Sequence, residues 1–267
     1  MNLSKLTRNA LERATRNWVY RRRLPADFGS IPLFVTPAAG LKYLFRSMAS
    51  VDPHLLRNVV ELIRLNDTVW DIGANVGLFT FAAAARAGRK GSVMAFEPDL
   101  WLAQILRKST LIQPVASASV TVVPAAVAAH VSLRRFAIAS SARASNALVG
   151  YGRSQMRNIE EIQTVVTLNL DWLLTSIPAP NLIKCDVEGA EVEVFAEQSE
   201  ILNSVRPTIV CEVGSASARR MTEIFVSAGY RLFDGEKALS LSSAVARTPW
   251  STIAIPRERL GHYVPKA

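Results

Sequence analysis

One stretch constrains the fold more than any other: Val69, Trp70, Asp71, Ile72, Gly73, Ala74, Asn75, Val76 and Gly77 read as a buried strand, a glycine turn and the opening of a helix. Gly73 lets the chain turn sharply out of the strand, and Gly77 lets backbone approach a ligand or the strand pack against the helix. Asn75 suits the same turn, because its side chain bonds local backbone and tolerates left-handed geometry. Leu78 to Ala85 follows, rich in helix formers, with Gly88 as its cap. A second apolar stretch, Ser92 to Phe96, ends at Glu97, Pro98 and Asp99. Glu97 lies twenty residues beyond Gly77, about the separation at which a carboxylate grips ribose hydroxyls in dinucleotide folds. Glycine loops are common, and an ordinary turn between strand and helix is the bland reading. An acid at the tip of the next strand favours a site for a nucleoside-bearing cofactor.

With 267 residues, 49% of them apolar and 20% charged, the chain has material for one large packed core, as in a soluble globular protein. The longest weakly polar stretch, Val115 to Leu133, contains Pro124 and His130 and reads as a strand and its continuation, not as a membrane span. Arg21, Arg22 and Arg23 are followed by Pro25, Asp27, Pro32 and Pro37, so no export signal is read there and a cytoplasmic location is the expectation. Cys185 and Cys211 both sit in apolar strand-like runs, which points to buried reduced thiols rather than a disulfide or metal site.

The net charge of +9 is unevenly placed. Residues 1–23 contribute +6 and residues 130–158 contribute +5, through Arg134, Arg135, Arg143, Arg153 and Arg157, so the remainder is slightly acidic. That distribution does not describe a nucleic-acid binder. In the first cluster Leu3, Leu6, Ala10, Ala14 and Trp18 fall at roughly helical spacing. Two readings stand: a helix that touches an anionic membrane or a partner, and a solvated helix packed on the domain.

Residues 1–50 read as a basic helical extension, with a proline-punctuated stretch and a further helical piece around Leu41 to Met48. Residues 51–267 read as one domain. A helix from Pro53 to Leu65 has Asp52 as N-cap. From Thr68 strands and helices alternate, which argues for a parallel sheet with helices on both faces. Within an insertion at about 130–170 the pattern changes. There, Val131 to Ile138 and Ile162 to Leu170 alternate with period two, Thr164, Val166, Leu168 and Leu170 sharing one face, as a pair of antiparallel strands. Afterwards Asp171 is the expected cap of a short helix. Strands at 182–185, 208–212, 230–233 and 252–255 follow, with helices at 190–196 and 216–228 between them.

A third signal is Ile183, Lys184, Cys185, Asp186, Val187, Glu188, Gly189, Ala190 and Glu191, a strand that delivers acids at its mouth before a helix. Helix capping accounts for one of those acids, and for the cluster less well. Ligands of open parallel sheets bind beyond the carboxyl ends of the strands, where this strand and the one carrying Asp71 meet.

With VWDIGANVGLFT (69–80), AFEPD (95–99), IKCDVEGAEVEVF (183–195) and PTIVCEV (207–213) in this order, the sequence resembles the FkbM family of S-adenosylmethionine (SAM) dependent methyltransferases over about residues 50–256. The resemblance implies a Rossmann-like α/β sheet, mostly parallel, with the last strand, Thr252 to Pro256, antiparallel. It implies SAM as cofactor, met by the turn of Asp71, Gly73, Asn75 and Gly77 at its methionine part and by Glu97 at its ribose. Ala126, after the third strand, would lie by the adenine, where this chain offers no polar side chain.

The implied reaction is O-methylation of a hydroxyl on a sugar, glycan or polyketide-type molecule. Methyl transfer needs nucleophile, carbon and sulfur in line, and a hydroxyl nucleophile must lose its proton. Asp186 is the first candidate for base or substrate orienter, with Glu188 and Glu212 next. Two strand-end acids are also compatible with a divalent cation, although no third ligand is evident, so no metal site is assigned. His130, after the third strand, is a candidate base, while a lone histidine is more often structural. The insertion's arginines suit an anionic acceptor or are simply a solvated loop face. Two other readings compete: a nicotinamide-dependent oxidoreductase, disfavoured by the Asp-x-Gly-x-Asn-x-Gly turn, and a non-catalytic SAM-binding adaptor docking through its basic N-terminus.

Overall fold

A strand apolar on both faces needs neighbours on both sides, and the order of elements supplies them. The computed structural model describes residues 14–15, 17–139, 143–151, 159–197 and 200–263. Among these a hairpin comes first, β1 (Tyr20–Arg23) antiparallel to β2 (Pro32–Val35), followed by α1 (Lys42–Phe45) and α2 (Pro53–Leu62). Then β3 (Thr68–Ile72), α3 (Leu78–Ala87), β4 (Ser92–Phe96), α4 (Leu100–Thr110) and β5 (Ser119–Val123) alternate. The insertion carries β6 (Ala126–Val127), β7 (Ser132–Ala139), β8 (Ala147–Leu148) and β9 (Ile159–Leu168). Alternation resumes with α5 (Leu170–Leu173), β10 (Leu182–Cys185), α6 (Glu191–Phe195), β11 (Thr208–Glu212), α7 (Ala218–Ser227) and β12 (Tyr230–Asp234). The last elements are β13 (Ala244–Val245), β14 (Ser251–Pro256) and α8 (Leu260–Tyr263).

The main sheet has the order β13-β12-β14-β11-β10-β3-β4-β5. β5, β4, β3, β10 and β11 are mutually parallel, whereas β14 runs antiparallel to both β11 and β12, as the family resemblance implies. From β3 the chain builds outward to β5, then returns to lay β10 on the other side of β3. The carboxyl ends of β3 and β10 therefore flank the point where strand order reverses, where such sheets leave a crevice. Helices cover both faces: Val69 and Val93 join a core with Phe79, Phe81 and Leu106, while Trp70, Ile72 and Phe96 join one with Phe195, Phe225 and Tyr230. Cys185 and Cys211 are register partners on β10 and β11, buried and unbridged. No helix among the described residues is long and apolar enough to cross a membrane.

Several local details depart from the sequence reading or lie beyond what it reached. The proline-punctuated stretch forms the β1–β2 hairpin, whose Leu33 and Val35 are fully buried in the first core, so apolar alternation outweighs proline there. The expected basic helix around 3–18 lies almost wholly outside the described residues, and Arg21–Arg23 are strand residues. In β9 the buried face is Val165 and Thr167, with Thr164 and Val166 exposed. Period two identifies two faces without saying which one meets protein, and Val165 packs with Phe136 and Ile138 of β7. Asp171 does not cap α5: Asn169 does, accepting from the Trp172 N–H at 2.7 Å. The Asp171 carboxylate instead accepts from the N–H groups of Glu200 and Ile201, thirty residues on. The insertion also exceeds a hairpin, since β6 and β8 flank β9 and β7 to make four strands.

Candidate active site

The turn after β3 is held by backbone and tightened by its glycines. Gly73 and Ala74 both donate to the Phe96 carbonyl at 3.0 Å. Gly73 has φ +75°, and a Cβ there would lie 1.9 Å from the Asp186 carbonyl oxygen, so the turns after β3 and β10 touch at a point only glycine allows. At Gly77 a Cβ would lie within 2.6 Å of Phe81 and Leu106. Its job is helix packing rather than ligand approach.

Glu97 projects from the end of β4 with only 5% of its surface exposed. Its oxygens accept from the Asn75 N–H at 2.7 Å and the Asp99 N–H at 2.9 Å, which fixes the carboxylate across from the glycine turn. Burial, with some help from the Asp99 charge, pushes this carboxyl up to about 8 against those two hydrogen bonds. Glu97, Gly73 and Asn75 line one cavity, together with Ala126 and Asp186.

Asp71 does not line it. Its carboxylate is fully buried beneath the turn, accepts from the Thr80 hydroxyl at 2.5 Å and lies 3.2 Å from Lys184 Nζ. Lys184 is the residue that sequence reasoning passed over. Its ammonium is almost wholly buried, donates to the Gly73 carbonyl at 2.7 Å and stands 3.7 Å from Asp186. Burial alone would lower its pKa, but the carboxylates of Asp71, Asp186 and Glu212 outweigh that and raise it. A lysine inside an otherwise apolar strand was itself the signal, because a buried ammonium demands carboxylate partners.

The insertion forms the cavity's other wall. Arg143 and Asn146 both donate to Asp99, the latter at 2.8 Å, while Asp99 also caps α4 through the Trp101 and Leu102 N–H groups. The Arg143 guanidinium lies 4.9 Å from the Trp101 ring centre, over its face. A second attachment joins Tyr151 and Arg134 to Glu193 of α6. Among the insertion's arginines, Arg143 and Arg134 thus clasp acids of the main domain, and Arg153 and Arg157 lie outside the described residues. With the clasp closed the cavity encloses about 50 Å³.

A second cavity of about 300 Å³ opens beside the first. Asp186 and Glu188 line both. Glu188 has φ +53°, an uncommon conformation for a non-glycine residue, which turns the chain between the two spaces. Glu212, at the end of the neighbouring strand, joins them in the second cavity with Glu191, Tyr151 and Trp250. Burial and then the Asp186 charge push the Glu212 carboxyl up to about 8, with Lys184 opposing. The three predicted acids are therefore brought together. His130 is not among them: it is exposed, 3.9 Å from Glu197 on the surface. Among the described residues no three His, Cys, Asp or Glu side chains are disposed to hold a metal ion.

Residues 71–232 match the family model described as the methyltransferase FkbM domain. Hexuronic acid methyltransferase AglP of Haloferax volcanii is 29% identical over 158 residues, 58% of this chain and 60% of that protein, so the chain spans less than two thirds of the relative's length. Among solved structures, a SAM-dependent O-methyltransferase from Thermotoga maritima superposes with a TM-score of 0.45 at 11% identity, over 84% of this chain and 72% of that one. A methyltransferase FkbM from Methylobacillus flagellatus gives 0.38 at 14%, over 66% and 47%. With the family model covering more than half of its length, the chain belongs to the FkbM methyltransferase family.

Proposed function

We propose that the chain is a SAM-dependent O-methyltransferase that methylates a hydroxyl of a sugar or similarly oxygenated small molecule. The observation that carries this reading is the sharing of Asp186 and Glu188 by two adjacent cavities. One has the features of a donor site and the other of an acceptor site. Family membership supports the reaction class, and the named activity of the Haloferax relative supports a sugar acceptor.

SAM fits the residues of the first cavity. Glu97 keeps unused lone pairs for ribose hydroxyls, the backbone of Gly73 and Asn75 faces the same space, and Ala125, Ala126 and Val127 offer apolar walls for a flat base. Bound there, SAM supplies a methyl carbon activated by its sulfonium. The protein's own work is then positioning and proton handling. Lys184, pressed against Asp186 and anchored on Gly73, keeps the Asp186 carboxylate in place as acceptor for the substrate hydroxyl's proton. Glu212, its carboxyl pushed up to about 8 by burial and the Asp186 charge, favours its protonated form at neutral pH. Asp71 acts beneath the site, holding Lys184.

About 50 Å³ is far below the roughly 300–1,000 Å³ of small-molecule sites, so loading needs the walls to part, and the Arg143–Asp99 clasp joins two of them. Calorimetric titration with SAM, S-adenosylhomocysteine and NADH tests the reading. Binding of the first two and not of NADH is expected; the reverse would overturn it.

A further inference from the structure

Three connections, residues 63–67, 88–91 and 111–118, bring the chain to the amino ends of β3, β4 and β5, the end of the sheet opposite the crevice. They lie side by side. The Asn66 N–H donates to the Ala87 carbonyl at 2.8 Å and the Ala118 N–H to the Ala84 carbonyl at 2.9 Å. A Cβ built on Gly88 would lie 3.2 Å from the Leu65 side chain and 4.0 Å from the Ala116 carbonyl oxygen. These connections carry the three most exposed large apolar side chains among the described residues: Leu111 at 84%, Val115 at 78% and Leu65 at 74%. Single exposed leucines need no explanation, but three gathered at one end of a sheet mark a surface that meets something.

The same end is basic. Arg89 and Lys90 stand between α3 and β4, and Arg107 and Lys108 stand on the last turn of α4, four and three residues before Leu111. All four are exposed, and none has an ion-pair partner among the described residues. Asp67, the acid of these connections, is partly buried and turned to its own backbone, accepting from the Arg64 N–H at 2.8 Å. The β1–β2 hairpin, tied to the end of α4 where the Gln113 side chain donates to the Pro32 carbonyl, adds Arg23 and Asp27, whose charges cancel. Because these cations come from separate segments, the charge blocks of the sequence do not reveal them. Glu97, Asp99, Asp186 and Glu212 stand at the other ends of the strands, so the molecule is electrically polar along its sheet.

We infer that this face docks on an anionic lipid bilayer, with Arg89, Lys90, Arg107 and Lys108 against the headgroup phosphates and Leu65, Leu111 and Val115 entering the interfacial layer. Charge complementarity selects the occupant, since juxtaposed cations gain energy at an anionic leaflet and exposed aliphatic side chains gain it by leaving water. A nucleic acid offers the same phosphates, but its bases are gripped by stacking on aromatic side chains, whereas this patch is aliphatic. The charge polarity also sets the orientation. An anionic surface attracts the amino ends of the strands and repels the acids at their carboxyl ends, so the docked protein turns its crevice to water. The inference does not depend on the methyltransferase reading.

Co-sedimentation of the full chain with phosphatidylcholine vesicles, with and without one third phosphatidylglycerol, tests this, circular dichroism checking that each variant is folded. Binding to the anionic vesicles is expected to be at least tenfold tighter than to the neutral ones. The quadruple variant Arg89→Ser, Lys90→Ser, Arg107→Ser, Lys108→Ser should lose tenfold or more. The pair Leu111→Ser, Val115→Ser, which leaves every charge in place, should lose threefold or more. Equal binding to the two kinds of vesicle, or binding to neither, would overturn the assignment. Full binding by the quadruple variant would also overturn it, moving the contact to the basic N-terminal residues, and full binding by the apolar pair would do so by removing the aliphatic contact. A DNA duplex bound in place of the vesicles would overturn it in favour of a nucleic-acid surface. SAM calorimetry on the same samples keeps the two readings apart: vesicle binding without SAM binding would sustain the docking face and sink the methyltransferase reading.

Discussion

At the level of single residues, Glu97 links the fold to the proposed cofactor. Held by two backbone N–H groups and by burial, it is a carboxyl whose proton affinity lies near the physiological range, with its pKa pushed to about 8. Ribose hydroxyls donate best to the ionised form, so SAM affinity should rise with pH until about 8 and level off above it, by up to tenfold per unit below that point. Glu97→Gln should bind SAM more weakly at high pH and lose most of this dependence, as calorimetry at pH 6.5, 7.5 and 8.5 would measure. An equal slope in both proteins would detach Glu97 from the cofactor. Glu97 was legible in the sequence because it is a strand-end acid at a fixed distance from a glycine turn. Asp71 was legible as an acid but not as a buried one. Its partners Thr80 and Lys184 decide its role, and Lys184 stands more than a hundred residues away in the chain.

At the scale of elements, the insertion is a wall with a clasp. β7 and β9 were readable from their alternation, since each strand carries its own periodicity. Which face is buried, and that Arg143 and Asn146 close on Asp99 more than forty residues back, depend on tertiary contacts that no local pattern encodes. The same holds for Asp171, whose carboxylate serves a later segment rather than its own helix. The clasp has a kinetic consequence. Arg143→Ala removes the ion pair and the contact with Trp101 and should speed SAM dissociation by roughly fivefold to thirtyfold, an ion pair of about 1–2 kcal/mol being mostly buried here. Stopped-flow displacement of SAM by excess S-adenosylhomocysteine would read it, and an unchanged off-rate would mean that the cavity loads without opening there.

At the scale of the whole molecule, the sheet's reversal of strand order gathers acids that would avoid one another elsewhere. The parallel alternation was accessible from the run of strands and helices, whereas the strand order, with β10 returning to lie beside β3, is fixed by tertiary packing. The hairpin at 20–35 was not, since its prolines masked its alternation. Gathering acids has a thermodynamic signature. Glu97 and Glu212 have folded pKa values raised to about 8, above the unfolded value near 4.5, so the folded state retains protons that the unfolded chain releases. Their contribution is full below about pH 4.5 and is lost as pH rises to about 8, at up to about 1.4 kcal/mol per pH unit for each group. Urea denaturation between pH 5 and 8 should show stability falling, and the Glu97→Gln, Glu212→Gln double variant should flatten that fall. A slope that survives both substitutions would place the titration elsewhere.

In the proposed reaction Asp186, standing in both cavities, receives the proton of the methylated hydroxyl. Asp186→Asn keeps the shape and removes the base. Methyl transfer from labelled SAM to a panel of glycosides should fall by about a hundredfold or more while calorimetric SAM affinity stays within a few-fold of the original. Full turnover in Asp186→Asn, or a wild-type chain that fails to bind SAM at all, would rule out that role for Asp186.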